Sequence, residues 1–592
     1  MLVALMKSKQ RIIPWGQTRP YAWLPALSRL VTLAAVVWLV AMLPWLSGQD
    51  PALAILRARS AEQNPSVAAL EAIRQSLGLD QGPIALMWQW LGGIIQGDAG
   101  ISWVSGRPIL QGMLQASGVS VSLMSFALVG ALLIAFALTL PTLRRGLQGQ
   151  AYRSSGMLAV TLTALPEFLL ASLLLLIGAV WLRWFPPFGW GQPVQVVLPA
   201  LALAIPAGGY LGRLLSDTVA QVFSEAWITT WSVAGVSRLA IVRAVLKRAL
   251  ATTLPLIGLV LVSLVGGAIA VEKVFAIPGL GRATLGAAIA KDVPSLQLGV
   301  LLILLLAFAV GVCVNMLRSM LVGKALRQGA MPTPKESSIT TGKVTRWMAI
   351  FCALFLGGIV GLGLFRDPFA IEYARLQAPS LTLPFGADAM GRDLLARVAH
   401  GSLHTCFVAL CVAVVCLVIG FMIGQFPRLM AGPIEVANAL PPVLTGLIIA
   451  ATLGPSGFGA ALAVVIVSWA PLAAHAASLI SDVKARPYIQ MLPLLGITAL
   501  HANVFYVFPA VFPSLLRHAM LRIPGIALAL ASLGFLGLGS PPPSPEWGRI
   551  LAEGMPYIER GYWGVLAPAL SLIVLSVFAV SAASLKPTTS PT

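Results

Sequence analysis

Residues 403–427 read LHTCFVALCVAVVCLVIGFMIGQFP and contain no Asp, Glu, Lys or Arg. A helix needs about 20 such residues to cross the hydrocarbon core of a bilayer. The apolar side chains follow one another without the alternation that a transmembrane β-strand requires. A helix also pairs its own backbone N–H and C=O groups, for which lipid offers no partners. The stretch therefore predicts one membrane-spanning helix.

Similar apolar segments recur along the whole chain, in two sets on either side of a polar stretch. The first set comprises 29–47, 118–140, 157–182, 195–215, 254–274 and 297–322, and the second comprises 347–366, 403–427, 436–454, 458–480, 521–540 and 563–584. Hydrophobic residues make up 58% of the chain and charged residues 10%, which excludes an ordinary soluble domain. The sequence predicts an all-α polytopic membrane protein with about twelve transmembrane helices in two six-helix halves.

The formal net charge is +19, and the basic residues are concentrated in alternate connections between the apolar segments. They include Lys7, Lys9, Arg144, Arg145, Arg238, Arg243, Lys247, Arg248, Arg318, Lys324, Lys335 and Lys343. Because Lys and Arg are enriched in cytoplasmic loops, this placement predicts that both termini and the joining segment are cytoplasmic. The charge indicates a chain embedded in a lipid bilayer and does not favour nucleic-acid binding.

Composition divides the chain into five predicted parts. A basic cytoplasmic tail comprises residues 1–28, and a first half spans 29–322. Residues 323–346, which contain Gly, Pro and Ser, form a cytoplasmic linker between the halves. The second half spans 347–585, and residues 586–592 form a C-terminal tail.

Several connections are long enough to hold helices of their own. In the first external segment, 48–117, apolar residues recur with helical spacing over 67–77, and 84–95 has the pattern of an amphipathic helix. Each half also has a long internal loop before its fifth span, at 216–252 and 481–520. We expect short cytoplasmic helices in these two loops.

Short motifs in each half identify a family. Residues 97–100 read GDAG and 271–281 read VEKVFAIPGLG, whereas 385–393 read FGADAMGRD, 535–539 FLGLG and 545–548 PEWG. In order and spacing, the first two resemble one permease (transmembrane) subunit of the dipeptide, oligopeptide and nickel importers of the ATP-binding cassette (ABC) superfamily. The other three resemble the partner subunit of the same importers. The chain therefore resembles two permease subunits fused into one polypeptide.

The resemblance implies a type I ABC importer permease fold in each half, with cores at about residues 118–322 and 402–584. It places the protein in the bacterial inner membrane as a multi-pass component. It also implies two ABC ATPase subunits on the cytoplasmic side and an extracytoplasmic solute-binding protein. ATP would be used by those ATPases, and the chain itself would bind no cofactor.

The resemblance marks nine residues of the external motifs as candidate site residues. They are Asp98, Gly279, Gly281, Asp388, Gly391, Arg392, Asp393, Trp547 and Gly548. The Arg392-Asp393 pair lies beside a helix start, where an acidic side chain suits the positive end of the helix dipole. Two interpretations stay open for this segment: a cap that orders an external loop, and contact with a delivering partner.

Importer permeases of this family present a short cytoplasmic helix to each ATPase, marked by Glu-Ala-Ala, a later glycine and a Leu-Pro pair. The residues that fit are Gly235, Leu254 and Pro255 in the first half and Gly496, Pro509 and Pro513 in the second. The triplets depart from the pattern, because 229–231 read TTW and 490–492 read QML. The resemblance implies that loops 229–240 and 490–501 dock the ATPases without the usual acidic residue.

Two acidic residues lie near the ends of apolar segments. Glu167 is close to the start of the third segment and Glu272 to the external end of the fifth. Ionisable groups in a membrane are costly and often functional, yet a position near a helix end equally suits a cap-like hydrogen bond. For both residues, a role in the transport pathway and a structural role are open interpretations. The five cysteines have no His cluster nearby, so we interpret them as small buried hydrophobes and predict no metal site.

The sequence contains no Gly-x-x-x-x-Gly-Lys-Ser/Thr phosphate loop and no HExxH or GxSxG motif, so we predict that the chain is not an enzyme. The leading hypothesis is the permease of an ATP-driven importer for peptides or a related small solute such as a metal chelate. The alternatives are a proton-coupled twelve-helix secondary transporter and a non-transporting membrane subunit. Few embedded carboxylates are available for a proton relay.

Overall fold

A computed structural model describes residues 23–43, 67–76, 81–149, 165–322 and 343–584, with the isolated positions 53, 159, 162 and 163. The helices of the first half are α1 (Leu24–Ala41), α2 (Val67–Ser76), α3 (Pro83–Ile95), α4 (Leu110–Leu147), α5 (Glu167–Leu174) with a π-helical turn (Leu175–Trp181), α6 (Pro193–Phe223), α7 (Ala226–Val233), α8 (Arg238–Val274), α9 (Leu280–Ile289) and α10 (Val293–Val322). Most of the predicted N-terminal tail, most of the linker and the C-terminal tail lie outside the described residues.

The helices of the second half are α11 (Lys343–Gly363), α12 (Leu394–Gly424), α13 (Ala431–Ala439), α14 (Pro442–Leu453), α15 (Gly457–Lys484), α16 (Pro487–Met491) with a 3₁₀ turn (Leu492–Leu495), α17 (Ala499–Ala502) with a π-helical turn (Asn503–Val507), α18 (Phe508–Leu536), α19 (Trp547–Gly554) and α20 (Trp563–Ser584). Isolated β-bridges, such as Ile101 with Pro108, occur in the connections. The described part of the chain is otherwise helices and turns, which confirms the all-α class.

Seven of the described helices are long and apolar enough to cross a membrane, and an eighth span results if α13 and α14 together make one. Four shorter apolar helices, among them parts of α1 and α20, fall below that length. Each predicted apolar segment coincides at least in part with a described helix. The predicted polytopic, two-half architecture is therefore confirmed.

Several helices extend beyond the apolar segments that predicted them. α4 covers Leu110–Leu147 where the apolar pattern covers 118–140, and α8 begins at Arg238 rather than near residue 254. The polar residues that continue these helices carry them past the apolar layer. As a consequence, the predicted internal loop 216–252 is mostly helix. The two helices predicted in the first external segment are present as α2 and α3.

Neighbouring spans approach each other closely through small residues. Gly208 and Gly212 of α6 face α4, and a Cβ at either would collide with that helix. Gly420 and Gly424 of α12 face α15 in the same way. Small residues spaced four apart are typical of helix contacts in membranes, where dispersion forces replace the hydrophobic effect. Each half is therefore built around one glycine-lined helix pair.

The outer surface of the helices is apolar, as expected for a surface in contact with lipid. Phe126, Leu133 and Phe136 of α4 are exposed. Cys313 and Cys411 are exposed as well, so the interpretation of all five cysteines as buried was wrong for these two. The apolar runs around them face outward as well as inward, which a sequence run without periodicity does not distinguish.

The two halves share an interface and one continuous buried cluster. α1 of the first half packs on α13 of the second, where Ser28 Oγ donates to the Leu429 carbonyl oxygen at 2.5 Å. Arg29 forms an ion pair with Glu435 at 2.7 Å. Deeper in the interface, Gly266 of α8 lies directly against a proline of the other half. The first helix of one half thus belongs, by packing, partly to the other.

Candidate functional site

Two short elements connect long helices at one face of the molecule. The first loop element (residues 226–237) joins α6 to α8, and the second loop element (residues 487–498) lies between α15 and α18. From these elements α8 and α18 run to the opposite face, where Lys273 and Phe535 contact each other. We call the two faces the loop face and the motif face. They correspond to the predicted cytoplasmic and external sides.

The first loop element ends in a tight turn at Gly235. The Gly235 N–H donates to the Ser232 carbonyl oxygen at 3.2 Å, and the Val236 N–H donates to the Trp231 carbonyl oxygen at 3.0 Å. Gly235 has a φ of +76°, a left-handed conformation that costs a residue with a Cβ roughly 1–2 kcal/mol. Ser237 follows as the N-cap of α8. This pattern is a glycine-terminated helix cap.

The second loop element repeats the same turn at Gly496. The Gly496 N–H donates to the Pro493 carbonyl oxygen and the Ile497 N–H to the Leu492 carbonyl oxygen, both at 3.1 Å. The φ of Gly496 is +75°, and Thr498 follows as the N-cap of α17. The two loop elements therefore share one backbone design, although their triplets differ from each other and from the family pattern.

Buried anchors fix each loop element to the helices behind it. Ile228 and Val236 pack on a separate apolar cluster that includes Phe223 and Val245 at the loop-face ends of α6 and α8. In the second loop element, Leu492 and two isoleucines pack into or against the main buried cluster. Both elements are thus held rigidly to the spans, with one face left outward.

A partly buried ion pair links the start of the first loop element to α8. Glu225, the residue before α7, accepts hydrogen bonds from Arg248 of α8 at 2.9 and 3.0 Å. The same carboxylate accepts from the Trp227 indole N–H at 2.7 Å. Sequence reasoning missed this role of Glu225, because its partner Arg248 lies on a different helix. The acidic residue nearest to the first loop element is therefore already paired.

The later prolines of the family pattern lie in the helices that follow the turns. Leu254 and Pro255 are in the middle of α8, and Leu254 is buried. Pro509 lies in the first turn of α18, and Pro513 lies further inside that helix. Gly235 and Gly496 thus form the turns, whereas the prolines belong to the helices that lead away from them.

On the motif face of the first half, Glu272 organises the turn before α9. Its fully buried carboxylate accepts a hydrogen bond from the Ser120 hydroxyl and another from the Arg282 N–H at 2.9 Å. The backbone of Gly279 passes so close to this carboxylate that a Cβ there would overlap it, and a Cβ at Gly281 would collide with Ile269 and contact the same carboxylate. The structure therefore places Glu272 as a cap for the N-terminal turn of α9.

Asp98 lies in the exposed loop that follows α3. Its carboxylate accepts from the Gly100 N–H at 2.9 Å, a local turn within the GDAG motif. A few residues on, Ser102 donates to Asp292 at 2.5 Å, and this aspartate also accepts from a backbone N–H at 3.0 Å. This loop is thereby tied to the turn between α9 and α10. Asp292 was not singled out from the sequence, since its partners lie far away in the chain.

On the motif face of the second half, buried charges form a compact cluster. Arg392 contacts Asp388 at 2.7 Å and Glu553 of α19 at 3.0 Å. Arg397, whose side chain is fully buried, contacts the same two carboxylates at 2.8 and 2.9 Å. Arg549 adds a contact to Glu553 at 3.2 Å. Buried charges need such pairing, because an unpaired one costs several kcal/mol.

The neighbouring residue Asp393 is the N-cap of α12, as its position at the predicted helix start suggested. Its carboxylate accepts from the Leu395 and Ala396 N–H groups and pairs with Arg366 at 2.8 Å. Gly391 accepts a backbone hydrogen bond from Tyr373 at 3.1 Å. These contacts close the external segment onto the start of α12.

Trp547 and Gly548 seat α19 against the spans. The Trp547 side chain is fully buried, and its indole N–H donates to the Val398 carbonyl oxygen of α12 at 2.7 Å. The Gly548 backbone lies directly against the Ala531 carbonyl oxygen of α18. All the second-half motif residues are thus brought together in one cap over α12, α18 and α20.

Burial and charge pairing act in opposite directions on two carboxyl groups of this cap. Burial alone would disfavour ionised Asp388, but the Arg392 N–H and the guanidinium charges of Arg397 and Arg392 outweigh it and hold the Asp388 pKa below its usual range. For Glu546, burial prevails over the Ser540 hydrogen bonds and raises its pKa. Asp388 is therefore stabilised as an anion, whereas Glu546 is not.

A cavity of about 470 Å³ opens beside the charge cluster. Its lining includes Met390, Pro542, Pro543 and Tyr557 together with Glu553. The arginines of the cluster are turned toward their carboxylate partners, so the accessible wall is mainly apolar. The cavity lies on the motif face of the second half.

Between the halves, two motifs meet directly. The Lys273 ammonium group donates to the Phe535 carbonyl oxygen at 2.9 Å and lies 5.3 Å from the centre of the Phe535 ring. Phe168, next to Glu167 at the start of α5, packs on the same ring, and the two ring centres are 5.5 Å apart. Glu167 itself is half-buried and packs against Gly267 of α8. Lys273 belongs to the VEKVFAIPGLG motif, but nothing in that motif indicates its partner in the other half.

Comparison with known proteins matches this architecture. The sequence profile of a family described as "binding-protein-dependent transport system inner membrane component" matches twice, at residues 131–327 and 417–585. The two matches together cover more than half of the chain and fall one in each half. The chain therefore belongs to this family of membrane permease components and carries two copies of its domain. Members of this family are not themselves catalytic, and they lie in the inner membrane as multi-pass proteins.

Relatives of the chain include permease proteins of peptide transport systems and of glutathione transport systems. A di/tripeptide transport system permease of Pseudomonas aeruginosa is 33% identical over 40% of this chain and 80% of its own length. A putative peptide transport system permease of Brucella abortus is 31% identical over 49% of this chain and 95% of its own length. A glutathione transport system permease of Pectobacterium atrosepticum is 31% identical over 49% of this chain and 94% of its own length. Each relative thus accounts for about one half of the chain.

Proposed function

We propose that this chain forms the complete transmembrane body of an ATP-driven importer, with both permease halves supplied by one polypeptide. The observation that carries the proposal is the pair of loop elements on one face, each closed by a glycine cap at Gly235 or Gly496. Two equivalent rigid projections suit two ATPase subunits, which close and separate together. Family membership supports the same conclusion, since binding-protein-dependent systems couple permeases to such partners.

We propose small peptides as the cargo. The relatives described above are named for dipeptides, tripeptides, peptides and glutathione, which share a peptide backbone. A metal chelate, also expected from the sequence, has no counterpart among those names. Specificity would be set largely by a separate solute-binding protein that delivers the peptide to the motif face.

The proposed orientation places the loop face and both termini in the cytoplasm. The basic residues of the connections support it, because Lys and Arg are retained on the cytoplasmic side during insertion. ATP would then be bound and hydrolysed by two partner subunits at the loop face and not by this chain. The buried charge pairs around Arg392 and Asp393 support a structural role for the external motifs, which would present an ordered surface to the binding protein.

In the proposed mechanism the halves rock as bodies against each other, so that the pathway between them opens to one side at a time. Rigid anchoring of the loop elements supports this transmission. Ile228 and Val236 couple the first element to α6 and α8, and Leu492 couples the second to the main cluster. Movement of a bound ATPase would therefore be transmitted directly to the membrane-spanning helices, because no flexible segment of the described chain lies between them and the loop elements.

The test uses the left-handed turns. Gly496→Val places a β-branched residue at φ +75°, whereas Gly496→Asn introduces a side chain that tolerates this conformation. A Cβ at Gly235 or Gly496 meets no neighbouring atom within 4 Å, so any effect comes from the backbone and not from a clash. We expect the Val variants of both glycines to lose uptake of a labelled dipeptide at normal membrane levels, and the Asn variants to retain most of it.

Energy coupling is tested in the same cells. Uptake that stops when ATP is depleted and continues after addition of an uncoupler supports the importer. Uptake that stops with the uncoupler while ATP is maintained would instead support the proton-coupled transporter. Normal uptake and normal ATPase recruitment in the double Val variant would refute docking through the two loop elements.

A further inference from the structure

The two loop elements have the same backbone but different outward surfaces. At the tip of the first element the exposed side chains include Thr229, Thr230 and Ser232, with Val233 and the less exposed Trp231 as apolar exceptions. At the tip of the second they are Leu494 and Leu495, which are 84% and 71% exposed. Met491 and Tyr488 extend this exposed apolar surface before the turn, whereas Leu500 after the turn is exposed like Leu239 at the corresponding place in the first half. A patch of this kind on a polar face marks an interaction site.

The similar placement of the two loop elements indicates that this apolar patch faces water and not lipid. The two loop elements occupy corresponding places in the two halves, so their tips lie at corresponding depths relative to the spans. The first element presents hydroxyl side chains at that depth, which indicates water. In the second, Asp482, Lys484 and Arg486 are exposed where α15 ends and the element begins. The leucines therefore project beyond a charged collar into aqueous surroundings.

The charged residues in and beside the loop elements restrict the kind of partner surface that can bind them. Residues 226–237 and 487–498 contain no Asp or Glu. Glu225 is already held by Arg248, and the residue at the corresponding place before α16 is Arg486. An attraction between a carboxylate of the loop element and a basic groove is therefore absent from both elements. The basic side chains near the second element favour carboxylates at the edge of the partner's groove.

We propose that the second loop element binds its ATPase subunit by inserting Leu494 and Leu495 into an apolar groove whose rim is acidic. This inference rests on the proposed function and adds the chemistry of the partner. The first loop element, with its threonines and serine, fits a more polar groove, so the two ATPase sites recognise different surfaces. Leucine side chains buried in a groove hold a complex through apolar area, which salt does not screen.

The experiment uses the full-length tagged chain, purified from membranes of its native host together with its ATPases. A photo-crosslinking amino acid at position 494 identifies the neighbouring protein, and mass spectrometry locates the crosslinked residues. We expect them in an ATP-binding cassette subunit, within an apolar groove bordered by Asp or Glu. We also expect this subunit to stay bound when NaCl is raised from about 0.1 M to about 1 M, over which the Debye length falls from about 10 to 3 Å.

The variant Leu494→Ser with Leu495→Ser leaves the turn intact and removes the apolar side chains. We expect affinity for that ATPase to fall on the order of a hundredfold, as estimated from the burial of two leucines. Leu381→Ser, which changes an exposed leucine of the second half's external segment, is the matched control and should bind normally. Retention of the ATPase by the double variant, release of it by salt alone, or crosslinks to lipid would each overturn the inference.

The glycine variants separate this inference from the proposed function. If Gly496→Val loses the ATPase while the double serine variant keeps it, docking at the loop element stands and the apolar insertion is wrong. If neither change and no change at Gly235 affects ATPase recruitment, docking at the loop elements fails as well.

Discussion

Lys273 and Phe535 join the two halves at the motif face, through a hydrogen bond of 2.9 Å from the lysine ammonium group to the phenylalanine carbonyl oxygen. Phe535 is near the end of α18, where the unpaired carbonyl groups and the helix dipole favour a positive charge. Lys273 comes from the VEKVFAIPGLG motif of the first half and Phe535 from the FLGLG motif of the second. Separation of the halves on this side has to break the contact.

Replacement of Lys273 tests whether this bond holds the motif face closed. Lys273→Met keeps most of the apolar stem and removes the charge-assisted bond, which contributes about 1.5–3 kcal/mol when well made. We expect an opening equilibrium shifted at least about tenfold toward the separated state. The measurement is disulfide formation between cysteines at Trp181 and Tyr562, whose rings are 5.5 Å apart across the same interface, in a background without native cysteines.

Crosslinking should be slower in Lys273→Met and close to normal in Lys273→Arg, which retains a charged donor. Lys484→Met, at the loop face, serves as the control for loss of a lysine. Equal crosslinking in the wild-type protein and Lys273→Met would show that the bond does not contribute to closure.

Loss of the Glu272 carboxylate is expected to destabilise the first half. Glu272→Ala leaves the Ser120 hydroxyl and the Arg282 N–H without their acceptor in a buried site, at a cost of about 1–3 kcal/mol. The measurement is the thermal unfolding midpoint of the detergent-solubilised protein. Glu559→Ala, at an exposed position on the same face, should leave the midpoint unchanged. A midpoint equal to that of the wild-type protein would argue against the capping role.

The charge cluster predicts a specific pH dependence of stability. The folded-state pKa of Asp388 is lowered, so its contribution is fully present above the ordinary value of about 4 and is lost as the pH falls through the folded-state pKa. We expect the unfolding midpoint of the wild-type protein to drop in this acidic range and that of Asp388→Asn to change less. The raised pKa of Glu546 acts with the opposite sign, so the comparison is made between the two proteins at each pH.

Asp388→Asn should also be less stable than the wild-type protein at neutral pH, by about 3 kcal/mol or more, because two buried arginines lose part of their counter-charge. The same acid-induced drop in both proteins would assign the pH dependence to other groups.

Packing and not the exposed ion pair is expected to hold α1 on the second half. Both side chains of the Arg29–Glu435 pair are 53% exposed, and exposed pairs contribute at most about 1 kcal/mol. Gly432 lies directly against the backbone of Ser28, and a larger side chain there forces the helices apart. We expect Glu435→Gln to have a near-normal unfolding midpoint and Gly432→Leu to lower it clearly. The reverse order would contradict this ranking.

Local features of the fold were predictable because they depend on neighbours in sequence. The apolar runs predicted the spans, the spacing over 67–77 and 84–95 predicted α2 and α3, and Gly235 and Gly496 predicted the turns. The ends of the helices were less predictable. α8 continues through the residues before Leu254, since a helix does not stop where hydrophobicity stops. Leu254 and Pro255, predicted at the start of an apolar segment, accordingly lie in the middle of this helix.

Contacts between distant segments were not predictable from one sequence. Nothing in the residues around Lys273 indicates an acceptor in α18, and nothing around Glu553 indicates Arg392 as its partner. The Arg392-Asp393 pair was open to two interpretations, because its burial is decided by α19, which follows far along the chain. The outward surface of the second loop element also required the structure, which shows that Leu492 is buried while Leu494 and Leu495 are exposed.

The packing of α1 on α13 sets an order of events in time. Arg29 and Glu435 are 406 residues apart in the chain, so one is synthesised long before the other. At about 5–20 residues per second, the ribosome needs roughly 20–80 seconds to cover this distance. α1 therefore enters the membrane early and remains without its main neighbour until most of the protein has been made. α1 can reach its final packing only after α13 has been synthesised.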